Sequence, residues 1–293
     1  MLPGFAQNPA EPTAYYYSSK VGERRRRLTA RKSIAKGTRI ICEPPLLVLR
    51  LHNKDRDVMA AYDKLNPIQK SILVKTEWRF CGNRERVGGG GGGGQLQPEK
   101  LHGIQLIDLV RSNVVPIQIV PKVLSKPQAL PFLALFPVSA TLQHSCVPNV
   151  YCSWNPILGC FTGHVVRDIL EGAPLTADWI KSALMTNKDR VEKLEAMGVT
   201  CKCVACGNSL DRELSDERRT NIKRLYGKLR NESPKMNPVF GMRLVKVMEQ
   251  LLVEEKLALT YPLSPYFQAS HFSIQLHDYE GALQWAQKQA DND

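Results

Sequence analysis

No apolar run in this chain is long enough to cross a bilayer. The two best, Ile40 to Leu49 and Leu130 to Val138, are broken by prolines, and a helical span needs about 20 apolar residues. The first twenty residues, Met1 to Lys20, hold Pro, Asn, Glu and three tyrosines but no apolar stretch of signal-peptide type. A disulfide-built scaffold is excluded too, because eight cysteines are too few for 293 residues. Acidic side chains are in short supply: 28 face 40 basic ones, leaving a formal charge of +12. These absences point to a reducing compartment, where clustered cysteines bind metal more often than they pair.

The hydrophobic fraction of 43% supports one large domain or two modest ones and excludes disorder of the whole chain. The basic excess calls for a partner with negative charge, nucleic acid first. Gly88 to Gly94 are seven consecutive glycines. A phosphate-binding loop needs Lys-Ser or Lys-Thr after its last glycine. Gln95-Leu96-Gln97 follow instead, so the run reads as a flexible loop.

Residues 1–20 read as a flexible leader, followed by the basic run Arg24 to Arg27. From Leu28 the pattern is strand, turn at Ala35-Lys36-Gly37, then strand, stopped by Pro44 and Pro45. Tyr62, Leu65, Ile68, Ile72 and Leu73 recur at helical intervals within 52–80. Short β-type runs are expected from Ile104 to about Ile180. Ser215, followed by Asp216 and Glu217, reads as a helix start. Ile222, Leu225, Tyr226 and Leu229 then share one helical face, as do Leu244, Met248, Leu251 and Leu252. A final helix pair is expected at Tyr266 to Leu276 and Tyr279 to Gln289; it resembles one tetratricopeptide hairpin, but that architecture needs at least three repeats, so packing against the preceding domain is expected.

Cys201-Lys202-Cys203-Val204-Ala205-Cys206 places three thiols within six residues. Such an array can wrap a tetrahedral zinc ion, for which Zn–S is about 2.3 Å. It is one ligand short, and Cys146 is a candidate for the fourth. Cys42, Cys81, Cys152 and Cys160 show no partner pattern and read as core or surface thiols.

The order of motifs resembles a SET-domain protein. The landmarks are Glu43-Pro44-Pro45-Leu46, Ser112-Asn113, the stretch Gln143 to Asn149, and Arg167 to Thr176, closed by the cysteine array. Together they span roughly residues 21–207, and the set is similar to fungal-type SET proteins and to the SET-plus-MYND subgroup. No MYND finger is visible, since residues 50–110 hold only Cys81. The resemblance implies a mostly β, pseudoknotted SET fold of small sheets. It places the SET domain at 21–180 with a helical and poly-Gly insertion at about 52–103. A zinc-binding post-SET segment follows at 181–207 and an α-helical region at 208–293.

The resemblance further implies methyl transfer from S-adenosylmethionine to a protein lysine, in the nucleus and/or cytoplasm. It assigns one structural Zn2+ to Cys146, Cys201, Cys203 and Cys206, and cofactor contacts to Asn113, Gln143, His144 and Val199. Trp179 stands at the position of the family's catalytic tyrosine. Gln143 replaces an asparagine, Val199 an aromatic residue, and arginines within Arg24 to Arg27 replace glycines of the first cofactor loop. Expected partners are a protein substrate such as a histone, with nucleosome or nucleic-acid contact through the basic surface. No membrane contact is expected, and the working unit is a monomer. The alternative is a catalytically impaired SET module that acts as a protein or chromatin interaction domain; direct DNA binding is a third reading.

Overall fold

Proline and glycine cut the first half of the chain into short strands, as the computed structural model shows over its described residues: 14–21, 25–75, 103–119, 130–257 and 263–291. The seven glycines, Cys81 and Arg24 lie outside them. The described residues fall into two compact units. One comprises residues 1–143, 149–176 and 196–199, the other 144–148, 177–195 and 200–293.

The first unit opens with β1 (Tyr16–Val21) antiparallel to β2 (Arg25–Ala30). The expected leader therefore ends in a strand. Tyr16 is buried opposite Ala30, and aromatic residues favour a half-buried pleated surface. Gly37 then turns the chain with φ of 85°, a region open to glycine without strain.

β3 (Arg39–Glu43) and β4 (Leu47–Arg50) follow on either side of the expected proline stop. Next come the helices α1 (Asp55–Asp63), α2 (Pro67–Lys75) and α3 (Gly103–Asn113). A β-type run was expected from Ile104, yet residues 103–113 are helical. Leu106, Leu109, Val110 and Asn113 are buried at i, i+3, i+4 and i+7, the helical period.

β5 (Val114–Ile119), β6 (Leu130–Leu135), the short helix α4 (Pro137–Ala140) and β7 (Gln143–His144) complete the approach to the Gln143–Asn149 motif. β8 (Val150–Asn155), β9 (Cys160–Val165) and β10 (Thr176–Ala177) finish the strands. The sheet orders are β4-β6-β5, β3-β9-β8 and the pair β10-β7: β5-β6 and β8-β9 pair as sequence neighbours, whereas β3 and β4 each join a strand remote in the chain. Leu47, Leu49, Val58, Leu106, Leu109 and Leu135 form a core between the β4-β6-β5 sheet and its helices.

Two polar side chains fix the chain on both sides of the motif. The Glu43 carboxylate accepts from Val138 N (2.7 Å), Ser139 N (2.9 Å) and Ser139 Oγ (3.0 Å), satisfying amides at the start of α4. Asn149 donates from Nδ2 to the Pro174 carbonyl at 2.9 Å. Its Oδ1 accepts from Thr176 N (2.7 Å) and Thr176 Oγ1 (3.1 Å).

The second unit is helical: α5 (Asn187–Glu195), α6 (Ser209–Glu232), α7 (Pro238–Glu254), α8 (Tyr266–Gln275) and α9 (Tyr279–Ala290). Helix α6 begins at Ser209, where the Asn208 side chain caps Asp211 N, and not at Ser215. Ser215 is inside the helix and buried, donating its hydroxyl to Glu255. The expected apolar stripes do converge: Ile222, Leu225, Leu229, Val245, Met248, Leu252 and Phe272 make one core. No helix among the described residues is long and apolar enough to cross a membrane.

At Gly241 in α7, an added Cβ would lie 2.4 Å from Phe272 Cζ in that core. Alanine gains about 1 kcal/mol of helix propensity over glycine, whereas overpacking a filled core costs about 1–3 kcal/mol. Because Phe272 is buried and cannot swing away, the clash outweighs the gain. Gly241→Ala is expected to lower stability by up to about 2 kcal/mol, the larger difference between those terms. An unchanged or higher midpoint in urea unfolding would contradict this packing.

Candidate metal centre

Local backbone structure gathers three of the thiols. Val204–Cys206 is one 3-10 turn, closed by the Cys206 N–H donating to the Cys203 carbonyl at 2.9 Å. Cys146 follows β7 and is fully buried. None of the seven described cysteines forms a disulfide, and the sulfurs of Cys146, Cys201, Cys203 and Cys206 lie within 4.8 Å of one another. Cys146 Sγ is 3.9 Å from Cys201 Sγ and 3.6 Å from Cys206 Sγ. A tetrahedron with bonds of about 2.3 Å requires S–S edges of about 3.8 Å. The donor set therefore fits a tetrahedral ion, and four soft thiolates favour Zn2+ over a hard cation.

The thiols share charge unevenly without a cation. Hydrogen bonds from Cys146, then Cys201 and Cys206, hold Cys203 far below the ordinary thiol range. Cys206 is lowered to about 6, first by Cys146 and then by Cys201. Cys146 is pushed up by its hydrogen bonds with Cys201, Cys203 and Cys206, and further by burial. Cys201 is favoured as thiolate by Cys146 but opposed by Cys203, Cys206 and burial, and it ends raised. A divalent ion would displace the protons that Cys146 and Cys201 retain, so acid opposes metal binding.

His144 stands beside this array. Its Nδ1 accepts the Trp179 main-chain N–H at 3.2 Å, and its Nε2 lies 3.3 Å from Cys146 Sγ. Burial lowers the His144 pKa, Asp178 and Cys203 oppose that shift, and Arg190 adds to it. The ring is therefore neutral at pH 7, with its hydrogen on Nε2, because Nδ1 already receives one. The Trp179 ring is tilted 49° to the imidazole with centroids 5.6 Å apart.

Two buried arginines complete the surroundings. Arg190 on α5 donates to the carbonyls of Met185 (2.7 Å) and Ala205 (2.8 Å). Arg219 on α6 donates to the carbonyls of Ser182 (2.7 Å) and Cys146 (2.8 Å), and its Nε pairs with Glu255 at 2.7 Å. Neither arginine was singled out from the sequence. The signal was there: Arg219 precedes Ile222 by three residues on the buried stripe of α6, and Arg190 precedes buried Leu194 by four.

Of the expected site residues, the second unit brings together His144, Cys146, Trp179, Cys201, Cys203 and Cys206. Asn113, Gln143 and Val199 belong to the first unit. Asn113 closes α3, its buried Nδ2 donating to the Leu109 carbonyl at 2.9 Å. The Gln143 N–H donates to the Leu175 carbonyl at 3.3 Å, and Val199 is buried.

The SET domain family profile matches residues 25–180, more than half of the 293-residue chain. The chain belongs to the SET-domain family. Among curated relatives, it is 27% identical over 156 residues to the histone-lysine N-methyltransferase set5 of Schizosaccharomyces pombe, covering 53% of this chain and 49% of that one. It is 26% identical over 183 residues to the N-lysine methyltransferase SMYD2 of Homo sapiens, covering 53% and 39%. SMYD2-B of Danio rerio is 29% identical over 175 residues, again covering 53% and 39%. The matches thus span about half or less of each relative's length.

The purified protein is expected to carry one equivalent of zinc by elemental analysis. Losing an outer-shell partner costs about 10–100-fold in metal affinity, so losing a ligand should cost at least as much. Cys203→Ser should weaken zinc binding by that factor or more in a chelator competition. It should also lower the thermal midpoint, because structural zinc contributes to folding free energy. Retention of full zinc affinity by Cys203→Ser would remove Cys203 from the ligand set.

Proposed function

We propose that this protein transfers a methyl group from S-adenosylmethionine to a lysine amine of a protein, with a histone tail as the first candidate, in the nucleus and/or cytoplasm. The observation that carries the reading is the SET profile over residues 25–180, within which Asn149 ties the His144–Asn149 motif to Pro174 and Thr176. The proteins it resembles are named as lysine methyltransferases. S-adenosylmethionine, when bound, supplies an electrophilic methyl on a sulfonium.

The SET resemblance would give contacts with that cofactor to Asn113, Gln143, Val199 and His144. Asn113 and Gln143 carry amides that both donate and accept, as an adenine edge and an amino-acid end require. Val199 offers an apolar wall. His144 has both ring nitrogens engaged, by Trp179 N and by Cys146, so its contribution would come from the main chain. Cys146, Cys201, Cys203 and Cys206 would hold one structural zinc with all four positions filled, leaving none open for catalysis.

Chain residues must still place a neutral amine, since a lysine in water has a pKa of about 10.4. Holding nitrogen, methyl carbon and sulfur in line in a channel that excludes water supplies much of the rate. Trp179 can line such a channel and donate through Nε1–H, but the indole offers no lone pair to accept an amine hydrogen. That substitution favours a second reading, a SET module that engages protein or chromatin without efficient transfer. Its formal charge of +12 suits nucleosomal DNA better than a lysine-rich tail.

Calorimetric titration of the zinc-loaded protein with S-adenosylhomocysteine separates the two, followed by radiolabel transfer to a peptide array. The expected result is saturable binding with weak transfer. Absence of binding by folded protein would remove the enzyme reading, and binding with no transfer would leave the module. Trp179→Tyr restores a hydroxyl with lone pairs. It is expected to raise transfer by about tenfold or more, a modest share of what positioned proton acceptors contribute.

A further inference from the structure

A divalent ion held by four thiolates carries a net charge of about −2. Cys146 is fully buried and its three partners are partly buried. Buried charge persists only when it is paired and hydrogen-bonded. The question is which groups in the second unit supply that compensation.

Arg190 has a fully buried side chain. Two of its nitrogens go to carbonyls, one of them Ala205, the residue immediately before Cys206. The third, Nε, is buried and has no hydrogen-bond partner among the described residues. The Ala205 anchor holds the guanidinium beside the cysteine turn, where its charge acts on Cys206 first and Cys146 next. Among the described residues its one ion-pair partner, Asp216, is 3.5 Å from Nη1 and partly exposed. A guanidinium anchored on two carbonyls thus sets a full charge beside the thiols.

His144 supplies a donor from the opposite end of the sequence. The Trp179 N–H occupies Nδ1, which puts the ring hydrogen on Nε2, 3.3 Å from Cys146 Sγ. The main chain of Trp179 therefore decides which imidazole nitrogen faces the sulfur.

We propose that Arg190 and His144 are positioning residues of the metal centre: His144 donates its Nε2–H to the Cys146 thiolate, and Arg190, anchored on the Ala205 carbonyl, offsets the charge of the buried tetrathiolate. The inference rests on the reading of the four cysteines as a zinc site. It gives Trp179 and His144 a role in the metal centre that does not depend on methyl transfer. Hydrogen bonds draw electron density from thiolate sulfur. They therefore raise the energy of sulfur-to-metal charge transfer and lower the reactivity of the sulfur.

The test uses the full chain loaded with Co2+, whose charge-transfer bands report sulfur electron density, and with Zn2+ for transfer to a chelator. His144→Phe keeps a ring and removes the donor; His144→Gln keeps an N–H donor. Arg190→Met removes charge and donors, and Arg190→Lys keeps the charge. The expected result is a red shift of the cobalt bands and about 10–100-fold faster metal transfer for His144→Phe and Arg190→Met, the range for lost outer-shell partners. His144→Gln should recover the wild-type bands. Arg190→Lys, which keeps the charge, should recover most of the retention.

Circular dichroism of each loaded variant checks folding. Should Arg190→Met fail to fold, the His144 pair still decides the matter. Wild-type protein that takes up no Co2+ or Zn2+ would overturn the zinc reading itself. Wild-type uptake together with unshifted bands and unchanged transfer in His144→Phe, or in folded Arg190→Met, would overturn this inference alone.

Discussion

The convergence of Cys146 with Cys201, Cys203 and Cys206 is the constraint on which the second compact unit depends. Fifty-five residues separate Cys146 from Cys201, so closing that loop carries an entropic penalty that grows with its length. Ordinary apolar burial does little to offset it, because the sulfurs meet each other and not a hydrocarbon core. A divalent cation held there would turn the four thiols into ligands and make the closure favourable.

The rest of that unit is built around the same point. Arg219 holds the Cys146 and Ser182 carbonyls from α6, and Glu255, at the end of α7, neutralises Arg219 together with Arg218. Ser215 adds a hydroxyl to Glu255. One buried carboxylate thereby connects two helices to the main chain of the cysteine motif. Such a network is stable only when every member is satisfied, since breaking a buried pair costs about 3–5 kcal/mol. This explains why polar residues occupy positions that periodicity alone assigns to the core.

The first unit shows what local sequence can and cannot convey. The turn at Gly37, the proline stop after Glu43 and the apolar stripes of α6 and α7 were readable, because each depends on neighbours within a few residues. The stretch from Ile104 reads as β-type because its apolar content is dense, and only the burial of Leu106, Leu109, Val110 and Asn113 reveals the helical period of 103–113. Residues 16–20 of the expected leader belong to β1, because a strand's partner, here Arg25–Ala30, is not encoded in the strand itself. Ser215 looked like a cap from its own neighbourhood, yet its hydroxyl answers to Glu255, forty residues away.

By itself the sequence determined the family, through the order of its motifs, and the identity of the thiols, through the spacing of Cys201, Cys203 and Cys206. These are properties of residue type and local separation. Tertiary structure alone decided how closely the Cys146 sulfur, a candidate from its motif, approaches those thiols, that His144 turns Nε2 toward sulfur because Trp179 N occupies Nδ1, and that Arg190 and Arg219 are interior. Each of the latter depends on a distance between residues remote in the chain. Hydrogen bonds and charge compensation act over a few ångströms of space, and the sequence does not specify which residues come that close.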